Sequence, residues 1–138
     1  MLWLLSKVEL SVDRPARAAP LIRRMLEEAY RGADTTGWLV AVAMSAHLLA
    51  CAGRDGDAAD LLGTVRAVGA RVGYQAEAMD AELAGYLAPI PDRPGIPDRS
   101  MAETMAWLRS AGPFAPEPRR GGSTLAGWGG AHPCGAGS

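Results

Sequence analysis

Apolar residues at three- and four-residue spacing, recurring from residue 1 to about residue 110, predict an all-α chain. No stretch in that range alternates apolar and polar residues as a half-buried strand does. A third observation sharpens the fold class. Sliding the chain by 40 residues lays "VDRPARAAPLI" (12–22) on "AGRDGDAADLL" (52–62), with Arg14 on Arg54, Ala18 and Ala19 on Ala58 and Ala59, and Leu21 on Leu61. Two helix-turn-helix units of that period predict antiparallel helix pairs in a fragment of an α-solenoid, each unit burying its face on the next. The expected division is a helical-repeat domain over 1–112 and a disordered Pro/Gly/Arg-rich tail over 113–138.

The elements follow in order. Residues 1–12 read as a helix with Leu2, Leu5, Val8 or Glu9, and Val12 on one side. Asp13 can cap a second helix with Pro15 in its first turn, Ala19, Ile22, Leu26 and Ala29 on its apolar face, and Gly32 at its end. Pro20 lies inside it and is expected to kink it or to push its start later. A third helix, from about Thr36 to Ala52, has two apolar stripes. One holds Trp38, Val42, Ser45, Leu49 and Ala52, the other Ala41, Met44, Leu48 and Cys51. A helix apolar nearly all round belongs between neighbours, at the centre of the fold. A fourth is capped near Asp55 or Asp57, turns Ala58, Leu61, Leu62, Val65, Val68 and Val72 inward, and stops at Gly73. A fifth covers about 75–87, with Ala76, Met79, Leu83 and Tyr86 inward. Four prolines in "APIPDRPGIPDR" (88–99) exclude regular structure, after which "SMAE" forms a capping box opening a short sixth helix, closed at Gly112-Pro113.

Composition excludes several function classes. The net charge of −1 gives no general attraction to nucleic acid or to an anionic membrane. Lys7 is the only lysine and asparagine is absent, a bias of a GC-rich coding genome that weakens any meaning in the arginine clusters. The uncharged apolar stretch 38–53 is shorter than the roughly 20 residues a membrane span needs. The start "MLWLLSKVEL" lacks the basic flank and cleavage site of a signal peptide, so a cytoplasmic location is expected. Cys51 and Cys134 lie in unlike surroundings, and no disulfide framework is expected.

Residues able to do chemistry are few. His47 and Cys51 stand at i, i+4, a spacing that can serve zinc or copper, with His132 and Cys134 as conceivable further ligands. Lone His and Cys on an apolar helix are ordinarily core residues, and no metal or cofactor is expected. Asp55, Asp57 and Asp60 resemble the start of a calcium loop, but Asp60 and Arg66 stand where that loop needs Gly and Glu; helix capping is the expected role. Ser45 near His47 makes no triad and no G-x-S-x-G is present. Glu27, Glu28 and Glu77 read as solvated helix faces. "RRGGST" (119–124) neither follows a strand nor carries the phosphate-loop lysine. Trp3, Trp38, Tyr74 and Trp107 could line a peptide groove, although Trp38 fits the core better, and Trp128 could be a short docking motif.

"AADLLGTVRAVGARVGY" (58–74) resembles the last helix pair in the tetratricopeptide-like C-terminal region of large bacterial LuxR-type and SARP-type ATPase transcription regulators. Ala58, Ala59, Leu61, Leu62, Gly63, Ala67 and Gly73 match or nearly match that family's A-A-x-L-L-G-x-x-x-A-x-R-x-x-x-G pattern, with the arginine displaced to Arg71. "SMAETMAWL" (100–108) looks like its closing helix, and the likeness covers about residues 1–110. The departures are a proline loop in place of a Trp-containing segment, and no phosphate loop or DNA-reading helix pair in the chain. The resemblance therefore implies neither ATP hydrolysis nor direct nucleic-acid binding. It implies a non-catalytic scaffold that binds a protein or peptide, or relays a signal to the upstream domains of a larger regulator. The alternatives are a small all-α enzyme without a recognisable motif, and a truncated reading frame without independent function.

The 40-residue register puts Met1 opposite Ala41, so the chain is expected to begin partway through a repeat. Leu2, Trp3, Leu4 and Leu5 then form an apolar edge, the candidate surface for a partner or for self-association.

Overall fold

The structure is a computed structural model and describes Glu9, residues 15–92 and residues 99–114. The expectations placed on Leu2, Trp3, Leu4 and Leu5, on the helix over 1–12, on Asp13, and on the tail with His132, Cys134 and Trp128 lie outside the described residues. Among the described residues no strand occurs, and six helices have both ends described: α1 (Pro15–Arg31), α2 (Thr35–Cys51), α3 (Asp55–Val72), α4 (Ala76–Met79), α5 (Ala81–Leu87) and α6 (Met101–Ala111).

Helices α1, α2 and α3 end in the same way. After α1, Asp34 N–H donates to the Ala29 carbonyl at 2.9 Å and Ala33 N–H to Tyr30 at 3.3 Å. After α2, Arg54 bonds Leu49 at 2.9 Å and Gly53 bonds Ala50 at 3.0 Å; after α3, Tyr74 bonds Gly69 at 2.9 Å. Each satisfies carbonyls that the helix leaves without a partner. The residue that reverses the chain is left-handed at each end: Ala33 (φ 55), Gly53 (φ 78) and Gly73 (φ 72). These positions are twenty residues apart, as are the first residues of the three helices, Pro15, Thr35 and Asp55. Two such steps make the 40-residue offset found in the sequence. Gly32, expected to end α1, is not the left-handed residue; Ala33 takes that role although it carries a Cβ.

Helix α2 is central. Its buried residues run round the whole circumference, from Trp38 and Leu39 through Val42, Met44 and Ser45 to Leu48 and Leu49. Its backbone approaches α1 on one side, α3 on another, and α4 and α5 beyond. Alanines at 18, 41, 43, 46, 58 and 59, all buried, allow that close approach. Ile22 and Leu26 of α1, and Leu61, Leu62, Val65 and Val68 of α3, complete the core. Asp34 caps α2 by accepting from Gly37 N–H at 3.0 Å.

Several local expectations need correction. Pro20 neither delays nor interrupts α1: it sits on the exposed side within a helix that already starts at Pro15. Asp55 and Asp57 are not N-caps but first-turn residues of α3, where their charge faces the positive end of the helix dipole; Arg54 holds the cap position without a side-chain cap bond. The helix expected over 75–87 is broken at Asp80. The Asp80 backbone is extended and its carboxylate accepts from Glu82 and Leu83 N–H, so it starts α5 afresh. That break turns Met79 out, 72% exposed, and Val72 at the end of α3 is likewise outward at 51%. Cys51, in the last turn of α2, is disulfide-bonded and partly buried; the expectation placed on Cys134 lies outside the described residues.

Candidate interaction surface on helix α6

Helix α6 begins at the predicted capping box. Ser100 Oγ accepts from Glu103 N–H at 3.1 Å, and the Glu103 carboxylate accepts from Ser100 N–H at 3.3 Å. Thr104, Met105 and Leu108 are buried, and Trp107 faces the neighbouring side, partly exposed. The helix ends at Gly112, where a Cβ would lie 2.6 Å from the Leu108 carbonyl oxygen, so only glycine fits.

Long side chains hold α6 in place. Trp38 of α2, fully buried, donates its indole N–H to Met105 Sδ at 3.2 Å. Arg109 makes a two-pronged pair with Glu27 of α1, at 2.6 and 2.9 Å, and its guanidinium carbon lies 5.8 Å from the Tyr30 ring centre. That hydrogen bond lowers the Glu27 pKa below the ordinary carboxylate value, overcoming the opposing effect of burial, with the charges of Arg109, Arg23 and Arg31 adding to it. Glu27 is therefore an anchor and not the solvated face expected of it. Glu77 is likewise engaged, by Arg66 at 3.1 Å.

Arg54 joins α3 to the far end of α6. Its Nε and Nη2 both reach Asp57 Oδ2, at 3.0 and 2.7 Å, and Nη2 also donates to the Ala111 carbonyl at 2.6 Å. A cation at a helix C-terminus satisfies an orphan carbonyl and meets the negative end of the dipole. The Arg54 guanidinium carbon is 5.8 Å from the centre of the Trp107 ring, and that of Arg99 is 5.3 Å from it. Arg54 comes from the start of α3 and Arg99 from just before the N-cap of α6, so two guanidiniums of separate segments lie within cation–π range of one indole. Arg99 Nη1 is buried and has no hydrogen-bond partner in the structure.

The four aromatics offered by the sequence do not line one groove. Trp38 is core. Tyr74 follows the C-terminus of α3 while Trp107 lies by Arg54 at its N-terminus, and an 18-residue helix separates them by about 27 Å. Trp3 is outside the described residues. The sequence did not single out Arg54, Arg99 or Arg109, because arginine is the default cation of this chain and carries little information by itself. The capping box was the available signal: it fixes where α6 starts, and with it the placing of Arg99 about two turns from Trp107.

The remaining candidates are committed to structure. His47 is 5% exposed; its Nδ1 faces the Tyr86 carbonyl at 3.3 Å and its ring lies against the Tyr86 ring at 4.7 Å between centres. His47 Nε2 is 3.5 Å from Cys51 Sγ, but that sulfur is in a disulfide and is not a thiolate ligand. No group of three or more His, Cys, Asp or Glu residues that could hold a metal ion occurs among the described residues. Ser45 Oγ donates to the Ala41 carbonyl at 2.8 Å, within its own helix. No helix of the described residues is long and apolar enough to cross a membrane. Comparison with family models, with curated proteins and with solved structures finds no match for this chain.

Proposed function

We propose that the chain is a non-catalytic helical scaffold that engages a protein partner, built as tetratricopeptide-like antiparallel helix pairs and acting within a bacterial transcription regulator. The recurrence of helix starts and left-handed turns every twenty residues supports this most directly, because it gives a physical basis for the 40-residue offset in the sequence. Helix α6 departs from an open array, in which each unit touches only its neighbours. It returns to α1 through Arg109 and Glu27 and to α2 through Trp38 and Met105. It acts as a closing helix laid across the array.

The absence of catalysis is supported by where reactive groups are spent: Ser45 on a backbone carbonyl, and His47 on Tyr86 and Cys51. A surface where tryptophan and arginine meet has the composition that dominates protein–protein binding energy. Self-association through Leu2, Trp3, Leu4 and Leu5 remains part of the proposal, and light scattering of the chain against Trp3→Ser/Leu4→Ser tests it. A cytoplasmic location is likewise part of the proposal. The deciding experiment for the regulator is to sequence the DNA immediately upstream of the codon for Met1. An in-frame ATPase supports the assignment, and an in-frame stop overturns it.

A further inference from the structure

We propose that Cys51, once its disulfide is reduced, is a thiol–disulfide exchange site in which His47 takes the thiol proton as the sulfur attacks a small-molecule disulfide. This goes beyond the scaffold reading and does not depend on it. Three observations carry it. First, His47 and Cys51 stand one turn apart on α2, with Nε2 3.5 Å from Sγ. Second, a third group orients the ring. Its Nδ1 lies 3.3 Å from the Tyr86 carbonyl oxygen, which can only accept, so the single proton of the neutral imidazole is on Nδ1. The lone pair of Nε2 is then the one that faces Sγ, and the Tyr86 ring, 4.7 Å away between centres, packs against the imidazole. A nucleophile, a base within reach and a group that orients the base are the parts of an activated thiol. Third, access is unequal. His47 is 5% exposed, whereas Cys51 is only partly buried, so a small disulfide can meet the sulfur while the base stays shielded from water.

The steps balance with an external dithiol and the incoming disulfide as the only co-reactants. The dithiol first reduces the disulfide at Cys51: it closes to a disulfide itself, and its two hydrogens end on the two sulfurs it separates. In the exchange, Nε2 takes the proton from Sγ and the freed electron pair forms a new S–S bond. The far sulfur of the incoming disulfide leaves with the electrons of the old bond and is protonated. Cys51 is the last residue of α2, where the negative end of the helix dipole works against a standing thiolate. Proton transfer during the attack, rather than a permanent ion pair, is therefore the source of the reactivity.

The test uses the full chain, reduced with dithiothreitol and desalted. Dithiodipyridine is the probe, and peptide mass spectrometry reads the mixed disulfide formed at Cys51. At neutral pH, Cys51 in the folded chain is expected to react on the order of tenfold faster than in the chain unfolded by guanidinium chloride, less than a positioned base can supply because the sulfur is partly covered. An equal or lower rate overturns the proposal. His47→Gln is expected to abolish the advantage, since an amide cannot take the proton. The two folded chains are expected to converge toward pH about 10, where an ordinary thiol gives up its proton without help. A rate unchanged by His47→Gln overturns the proposal, and so does a loss of the same size at both pH values, which assigns the effect to packing. Thermal melting shows whether the variant folds. If His47→Gln does not, His47→Asn takes its place, and a folded His47→Asn chain that reacts as fast as the unaltered one overturns the proposal.

Discussion

Helices α1 to α3 and helix α6 share one core yet are joined to it by different means. In the first region small side chains, Ala18, Ala41, Ala43, Ala46, Ala58 and Ala59, bring backbones together, and the same left-handed turn closes each helix. Helix α6 makes no comparably close backbone approach. It is pinned by Met105 under Trp38, by Arg109 on Glu27, and by Arg54 on the Ala111 carbonyl. Short-range packing with repeated turns makes a unit that folds from local contacts; long polar arms attach an element that arrives from far along the chain. The two regions should therefore differ in how they fail.

The largest contrast is between core leucines. Leu48→Ala in α2 is expected to cost about 4 kcal/mol and to lower the whole melting transition. Leu108→Ala in α6 is expected to cost about 2 kcal/mol, with the amides of α6 losing exchange protection before those of α2. Equal costs with uniform loss of protection would erase the distinction between the regions.

Glycines give the next test. A Cβ on Gly69 would collide with the Tyr74 carbonyl oxygen in the turn after α3, so Gly69→Ala is expected to destabilise by about 1–3 kcal/mol. Gly85 in α5 faces open space, and Gly85→Ala is expected to stabilise by up to about 1 kcal/mol. Chemical denaturation of the pair reads both signs.

The turns themselves can be made more alike. Ala33 stands left-handed where the other two ends have glycine, and Ala33→Gly is expected to stabilise by about 1 kcal/mol, while Gly53→Ala and Gly73→Ala cost a similar amount. A loss of stability in Ala33→Gly would show that its Cβ packs in a way the turn geometry does not convey.

The smallest effect concerns an arm of α6. The Glu27 pKa is lowered in the folded state, so its pairing with Arg109 adds stability above the unfolded carboxylate pKa of about 4.3 and loses it as pH falls through the lower folded value. Both partners are partly exposed, which limits the pair to below about 1 kcal/mol. Glu27→Gln should accordingly melt slightly earlier at pH 7, and the difference should vanish in acid. A difference that persists in acid would assign the effect to packing of the side chain instead.

Much of the fold was legible because helix periodicity, caps and left-handed turns are local. The capping box at Ser100 and Glu103, the stop at Gly73 and the all-round burial of α2 were each written in a few neighbouring residues. The break at Asp80 was not, because the apolar positions at 76, 79, 83 and 86 keep helical spacing while the Asp80 side chain bonds backbone N–H groups ahead of it. The arms of α6 were hidden for another reason. Glu27 and Arg109 are 82 residues apart, and nothing local to either position indicates that the two meet. The meeting of Arg54 with Trp107 was hidden in the same way, since the two come together only once the chain has returned on itself.

The apolar girth of α2 also has a meaning in time. That helix carries no Asp, Glu, Lys or Arg over its whole length. During synthesis it emerges after α1, and the face that α3 covers waits until the residues of α3 have been added. At roughly 5–20 residues per second, those next eighteen residues take on the order of one to four seconds. For that interval the face of α2 that α3 covers lacks that cover. The nascent chain is then most exposed to aggregation, and a chaperone that binds apolar helices has its widest opening.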